Sequence, residues 1–335
     1  MFKPKKNNYL LKCLFWVLSL GLFINGGSVS AQEILPTYSD YLTDNLYLLY
    51  PSLAGAAGRN QLRITARQQW FDVDDAPGMQ TLSINGRLGN REGIGAILFN
   101  DQNGNFSKSG AYATFAYHLR LPSGDLELHR LSFGMSAGMI QHRLDQSGFD
   151  GFDPVLGQDK ISVSYANMDA GMSYFRNDLY VHFAAKNLLP VKRELFNSNN
   201  IAGNQRRYFL TAGYVISPAY NWFLEPSAML QLVEDTSEKT VDVNAKAYRN
   251  FDFGQVWAGL SYRQGLDKME EENFENIRYF TPFAGVEFRS FLVGYTYSRQ
   301  FNETVFSNSG FHQLTLGYNF GAPRQRYHCG CPAIN

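Results

Sequence analysis

Charge of either sign is scarce and it cancels. Across 335 residues 30 Lys+Arg stand against 30 Asp+Glu, and charged residues make up only 18% of the chain. A zero balance excludes the basic face that a nucleic-acid binder needs. Cysteine is nearly absent: 3 residues are too few for a disulfide scaffold. Beyond the first 31 residues no apolar stretch is long enough to cross a bilayer as a helix. That shortage leaves β-barrels open, because their signal is weak in each segment. There is no repeat of fixed period, which counts against a propeller, and no linker or low-complexity run to mark a second domain. What the chain holds in excess is aromatic and small: 20 Tyr, 26 Phe, 4 Trp and 30 Gly, within a 44% hydrophobic total that excludes a disordered chain.

The first segment reads as a secretory signal. Lys3, Lys5 and Lys6 precede a mostly apolar run from Leu10 to Ile24, and small residues follow up to Val29-Ser30-Ala31. That order of charged, apolar and small residues predicts cleavage after Ala31. An uncleaved anchor is the alternative, disfavoured by the shortness of the run. Cys13 lies inside the apolar run, so a lipoprotein signal does not fit. The leader removes four lysines and no acid, leaving the remainder net acidic, with only Cys329 and Cys331 as thiols. A long body without cysteine suits an exported protein.

From there the dominant pattern is alternation at period two. Val241, Val243, Ala245 and Ala247 interleave with Asp242, Asn244, Lys246 and Tyr248, and Leu314, Leu316, Tyr318 and Phe320 with Thr315, Gly317 and Asn319. Successive strand side chains point to opposite faces, so such runs have one apolar and one polar side. Fourteen runs follow one another: 62–70, 79–88, 93–101, 109–119, 128–143, 162–175, 179–188, 207–217, 221–234, 240–250, 254–264, 277–289, 291–300 and 310–320. At about 3.3 Å per residue and a tilt near 45°, ten residues rise roughly 23 Å, the height of an outer-membrane apolar band. Soluble sandwiches use shorter strands. Long connections such as 144–161, 189–206 and 265–276 alternate with short ones such as 176–178, 218–220 and 251–253; the stretch 120–127 breaks the rule. Bacterial outer-membrane barrels have even strand counts, short periplasmic turns and long outer loops. Trp70, Tyr174, Tyr214, Trp222 and Tyr318, near run ends, suit interfacial girdles.

These features predict an all-β, transmembrane, antiparallel up-and-down barrel of about 14 strands, with a soluble sandwich or propeller as the competing architecture. The expected division is a signal peptide over 1–31, a periplasmic N-terminal segment over 32–61 that could instead plug the barrel mouth, a barrel over 62–320 and a periplasmic tail over 321–335. Phe320 closes the last apolar row.

Catalytic chemistry finds little footing. His118, His129, His142, His182, His312 and His328 stand in no hydrolase or metalloprotease frame. A barrel hydrolase would need a Ser–His pair on adjacent strands. Asp101-Gln102-Asn103-Gly104-Asn105 opens like a calcium loop, but Tyr112 occupies the position that needs Glu. Asp72, Asp74 and Asp75 read as a solvated loop. The tail Cys329-Gly330-Cys331 beside His328 makes an incomplete zinc site. No catalytic, cofactor-binding or metal residue is expected, and no cofactor. Alternation turns Arg63, Arg67, Asp169, His182, Lys186, Glu225, Glu287 and Arg289 inward, either around a water-filled channel or as ion pairs that plug it.

Between 50 and 104 a set of short motifs occurs in order: Tyr50-Pro51-Ser52-Leu53-Ala54-Gly55, Arg67-Gln68-Gln69-Trp70, Ala76-Pro77 with Gln80-Thr81, Gly93-Ile94-Gly95-Ala96, then Asn100-Asp101 and Gly104. The set resembles the PorP/SprF family of the type IX secretion system, in which Asn and Ala are usual where Tyr50 and Ser52 stand here. The resemblance implies an outer-membrane component of protein export. The partners it implies are the periplasmic ring and other components of that machine and, in gliding bacteria, a secreted surface adhesin. Outer-membrane lipid surrounds such a barrel, and nucleic acid is not among its partners. Pro51, Gly55, Arg67, Trp70, Pro77, Asn100, Asp101 and Gly104 are the family-motif or partner-contact candidates. On the residues themselves, Arg67 points inward or along the lower rim, Trp70 ends the first strand, and Ala76-Pro77-Gly78 turns into the second; all could simply shape the first hairpin. A channel for small solutes is the alternative function.

Overall fold

The alternating runs pair edge to edge into a single wall. The computed structural model describes residues 45–69, 76–124, 127–145, 160–189, 206–234, 238–266, 276, 278–301 and 310–321. Its strands are β1 (Asn60–Gln69), β2 (Gly78–Arg87), β3 (Glu92–Asn103), β4 (Phe106–Arg120), β5 (His129–Asp145), β6 (Lys160–Arg176), β7 (Leu179–Lys186), β8 (Arg207–Tyr214), β9 (Ile216–Ala219), β10 (Trp222–Val233), β11 (Lys239–Phe251), β12 (Gly254–Gly265), β13 (Arg278–Phe288), β14 (Phe291–Gln300) and β15 (Phe311–Phe320). Each pairs antiparallel with its neighbours, and β1 returns to β15 from Asn60↔Phe320 to Gln69↔Phe311. Short β9 continues β8 past Val215 and shares its partner β10, with a register shift, so the two fill one position of a closed fourteen-stranded barrel. Closure gives each position in the barrel a paired neighbour on either side, which is what lets a sheet stand in lipid.

Outward rows are apolar through mid-height. On β10 to β13 they run Leu224, Ala228, Val243, Ala245, Ala258, Leu260, Ala284 and Val286. Among the described residues, outward charges such as Lys160, Arg249 and Arg299 sit only near strand ends. The inward face is polar and buried: Arg63, Thr65, Ser83, Asn85, Thr114, Ser132, Asn167, Asp169, Asp242 and Thr315 all lie inside. Two-residue turns join β6 to β7, β9 to β10, β11 to β12 and β13 to β14, and Asn177, Asn221 and Arg289 in them take positive φ. Asn tolerates that conformation well.

Three expectations need correction. Residues 102–108 are no outer loop: β3 runs to Asn103, β4 starts at Phe106, and the strands meet in a tight hairpin around Gly104. Arg289 sits in the exposed β13–β14 turn with its guanidinium over Phe288, because β13 ends one residue earlier. The N-terminal segment, expected in the periplasm or as a plug of the barrel mouth, lies inside the barrel and not on the periplasmic side over residues 45–57. Trp70, the acidic cluster 72–75, the signal segment 1–31 and the tail 321–335 (save Gly321) lie outside the described residues.

The wall is uneven. β5 and β6 have 17 residues each and β4 has 15, while β7 and β8 have 8. Seventeen tilted residues rise about 40 Å, beyond the apolar band of about 25 Å. The outward face of β5 changes accordingly, from Phe133, Met135 and Met139 to Gln141 and Arg143.

Candidate functional site

The most constructed region of the molecule is inside the wall. Residues 45–57 lie within the lumen, shaped by two single turns of 3-10 helix, Leu46–Leu48 and Pro51–Leu53. Pro51 opens the second turn, where its missing N–H costs nothing. Tyr47, Leu48, Leu49, Tyr50, Leu53 and Ala54 are buried against Ile97, Phe99, Tyr112, Phe175 and Phe209 of the wall.

An irregular backbone in such a place leaves carbonyls that must find donors. Four wall side chains supply them. Lys186 Nζ reaches Leu48 O at 2.8 Å, and His118 Nε2 lies 3.0 Å from Ala54 O. Arg87 Nε donates to Gly55 O at 2.8 Å, and Arg130 Nη1 to Ala56 O at 3.1 Å. Side chains of the segment reach out in turn. Asn45 donates to Ser83, Tyr47 to Thr114 at 2.7 Å, Tyr50 shares a hydrogen with Thr211 and Ser52 with Ser173 at 2.6 Å. Burial pushes the Tyr47 and Tyr50 phenols well above their ordinary range, so both keep the hydrogen they share.

Glycines make the seat. Gly55 has φ +67, donates its N–H to Asn85 Oδ1 at 3.1 Å, and a Cβ there would meet Gly86 O at 2.6 Å. A Cβ on Gly93 would stand 2.0 Å from Ala54 O, and one on Gly95 would stand 2.4 Å from the Tyr47 hydroxyl. Gly134 and Gly171 present bare backbone to Pro51 in the same way. The two motifs around Gly55 and Gly93, 38 residues apart in sequence, are therefore two sides of one contact.

Elsewhere on the inner wall polar side chains pair with one another. Arg263 grips Asp242 with two bonds of 2.7 Å, Lys186 also pairs with Asp169 at 3.3 Å, and Tyr180 donates to Glu225 at 2.5 Å. Glu287 accepts from Asn319 at 2.9 Å. On the other side of the lumen Val215, Tyr248, Trp257, Phe283 and Leu292 form a second apolar cluster, with Lys246 Nζ over the Tyr248 and Trp257 rings. Two Ser–His pairs on adjacent strands do occur. His118 Nδ1 lies 2.8 Å from Ser132 Oγ, and His182 Nδ1 lies 2.9 Å from Ser173 Oγ. All four residues are buried beneath the lumenal segment. Among the described residues no group of His, Cys, Asp and Glu is arranged to hold a metal ion.

The motif residues separate into two places. Pro51 and Gly55 belong to the lumenal seat. Arg67, Pro77, Asn100, Asp101 and Gly104 lie at the opposite, long-loop end. Arg67 is buried there with its guanidinium 4.7 Å above the Phe311 ring, so it points inward at the upper end of β1 and not along the lower rim. Cross-strand pairing sets Arg67, Met79, Asp101 and Lys108 in one inner row. Asn100 faces outward, Pro77 O accepts from Gln69 N, and Gly104 takes φ +54 in open space. Arg67, Gln68, Gln80, Asn100, Tyr295 and His312 border a cleft of about 560 Å³ at this end. The sequence reading missed Arg87, His118 and Arg130 as holders of the lumenal chain. Their inward parity was visible, but nothing local shows that a segment lies opposite them.

Residues 30–318 match the family described as type IX secretion system membrane protein PorP/SprF. No curated protein matches the chain. Among solved structures it is similar to a Pseudomonas aeruginosa FadL homologue, 11% identical at a TM-score of 0.46, covering 78% of this chain and 91% of that one. It is also similar to BamA from Haemophilus ducreyi lacking POTRA domains 1-3, 8% identical at 0.41, covering 78% and 70%.

Proposed function

Since the chain belongs to the PorP/SprF family of type IX secretion system membrane proteins, and is an outer-membrane barrel of that system, we propose that it supports export by docking other proteins on its rims. The partners in this reading are the periplasmic ring and other machine components at the short-turn end, and a secreted surface adhesin. The observation that carries it is the occupied lumen: with 45–57 bound to the wall by side chains of six different strands, the surfaces left for partners are the two ends. The height of β4 to β6 supports the same reading, because their upper residues stand clear of lipid.

Catalysis has no part in it. Each Ser–His pair is buried, and the second nitrogen of His118 is engaged by the Ala54 carbonyl, which leaves no place for a substrate carbonyl beside Ser132. A small-solute channel would need the lumenal segment to leave. Affinity purification of the intact protein in mild detergent tests the proposal: machine components or a large surface protein should co-purify. Recovery of neither, together with steady conductance in planar bilayers, would replace docking with transport.

A further inference from the structure

One outward ledge at the short-turn end has a chemistry that neither the lumen nor the docking reading uses. The outward rows of β10, β11 and β13 are apolar up to Leu224, Ala247 and Val286, and then change abruptly. Arg249 stacks its guanidinium over Trp222 at 5.3 Å and over Phe251 at 4.8 Å. Phe251 stacks on Phe253 at 5.0 Å, Phe253 meets Phe288 at 5.9 Å, and the Arg289 guanidinium lies 5.4 Å from the Phe288 ring. The result is a continuous exposed row in which Arg249 lies between Trp222 and Phe251, and Arg289 closes the far end beyond Phe253 and Phe288. Neither guanidinium makes a hydrogen bond or ion pair among the described residues. Asp252, in the turn between the rings, pairs with neither of them; Asn250 is engaged by Gln255 at 2.8 Å.

We propose that this ledge binds the phosphate of an anionic phospholipid in the leaflet at the short-turn end. Rings at the edge of an apolar band sit at headgroup depth. A guanidinium lying flat on a ring keeps its N–H edge free, and that edge matches two oxygens of a phosphate. Stacking also fixes the long side chain beforehand, so little rotamer freedom is lost when the headgroup arrives. An arginine that merely reached for water would not need rings on both sides, as Arg249 has. Each guanidinium near an anionic surface is worth about a fivefold gain in occupancy, so two predict about twenty-fivefold.

The intact protein, purified in detergent and offered equal phosphatidylglycerol and phosphatidylcholine, is read by native mass spectrometry of retained lipid. Phosphatidylglycerol should be retained preferentially, by about tenfold or more. Arg249→Gln with Arg289→Gln should abolish the preference, while Arg176→Gln, an exposed arginine of the same end with no ring beneath it, should leave it unchanged. The wild-type comparison stands even if the double variant fails to fold. No preference in the wild type, or full preference in the folded double variant, overturns the proposal. So does inorganic phosphate alone protecting both arginines from chemical modification as well as phosphatidylglycerol vesicles do, which would make this a free-anion site. None of these outcomes depends on a secretion partner, so failure here leaves the docking reading where it was.

Discussion

Gly93→Ala is a test in which the sign of the effect decides. Gly93 lies in β3, paired with Arg87 and Ala116, and its φ is not in the left-handed region. In an ordinary strand position alanine would stabilise by about 0.5–1 kcal/mol, because glycine has more freedom to lose. Here the new Cβ would stand 2.0 Å from Ala54 O and 2.9 Å from Ala54 C. The carbonyl must retreat by more than an ångström, and it takes its bond from His118 Nε2 with it. A buried hydrogen bond broken with one partner left unsatisfied costs about 1–3 kcal/mol. The adjoining bonds of Gly55 to Asn85 and Arg87 are strained by the same movement. A net weakening of the lumenal segment by about 2–4 kcal/mol follows. The assay is thiol labelling of Ser52→Cys, a fully buried position, in a background with Cys13, Cys329 and Cys331 replaced by serine. Labelling should accelerate by about 30- to 1,000-fold when Gly93→Ala is added. Labelling that is unchanged or slower would mean that Ala54 is not seated on β3, and the account of the two motifs as one contact would fail.

Three further outcomes are expected. Ser52→Cys with Ser173→Cys should oxidise to a disulfide, since the two hydroxyls are 2.6 Å apart, and should give a barrel equally silent in bilayer recordings before and after reduction. Lys186→Met strips a partner from both Asp169 and Leu48 O and should cost about 3–5 kcal/mol in urea unfolding; Lys186→Met with Asp169→Leu should recover a good part of it. Ala258→Lys, on the outward face between Ala247 and Ala284, should cost about 2–4 kcal/mol in lipid-reconstituted unfolding, against about 0–1 kcal/mol for Gln68→Lys near a strand end.

Strand positions were legible because lipid and lumen impose one rule on every residue of the wall. β14 and β15 fall within a residue of the alternating runs, and the inward rows from Arg63 to Asn319 follow by parity. Three features escaped. Across 102–108 the polar residues that suggested a loop are, apart from the Gly104-Asn105 turn, upper strand positions beyond the apolar band, where alternation of polarity no longer applies. The register shift between Ile216 and Ala219 puts one residue more on β9 than on the facing stretch of β10, and it appears only once β9 is seen to share β10. Tyr50-Pro51 announced a turn, but its location inside the barrel depends on partners such as Lys186 and Thr211, far along the chain. Sequence reasoning could group the residues around Gly55 and Gly93 only as motifs, since their common purpose is a distance.

The seat of residues 45–57 also bears on how the molecule is assembled. Among the described residues, the wall side chains hydrogen-bonded to this segment come from β2 to β8, and the segment joins directly onto β1. The seam between the first and last strands, from Asn60↔Phe320 to Gln69↔Phe311, joins the most distant parts of the sequence. The early strands can gather around the segment while the later ones are still unpaired, and the seam then seals over a filled interior. A chain that sealed first would have to thread its own beginning through a finished cylinder.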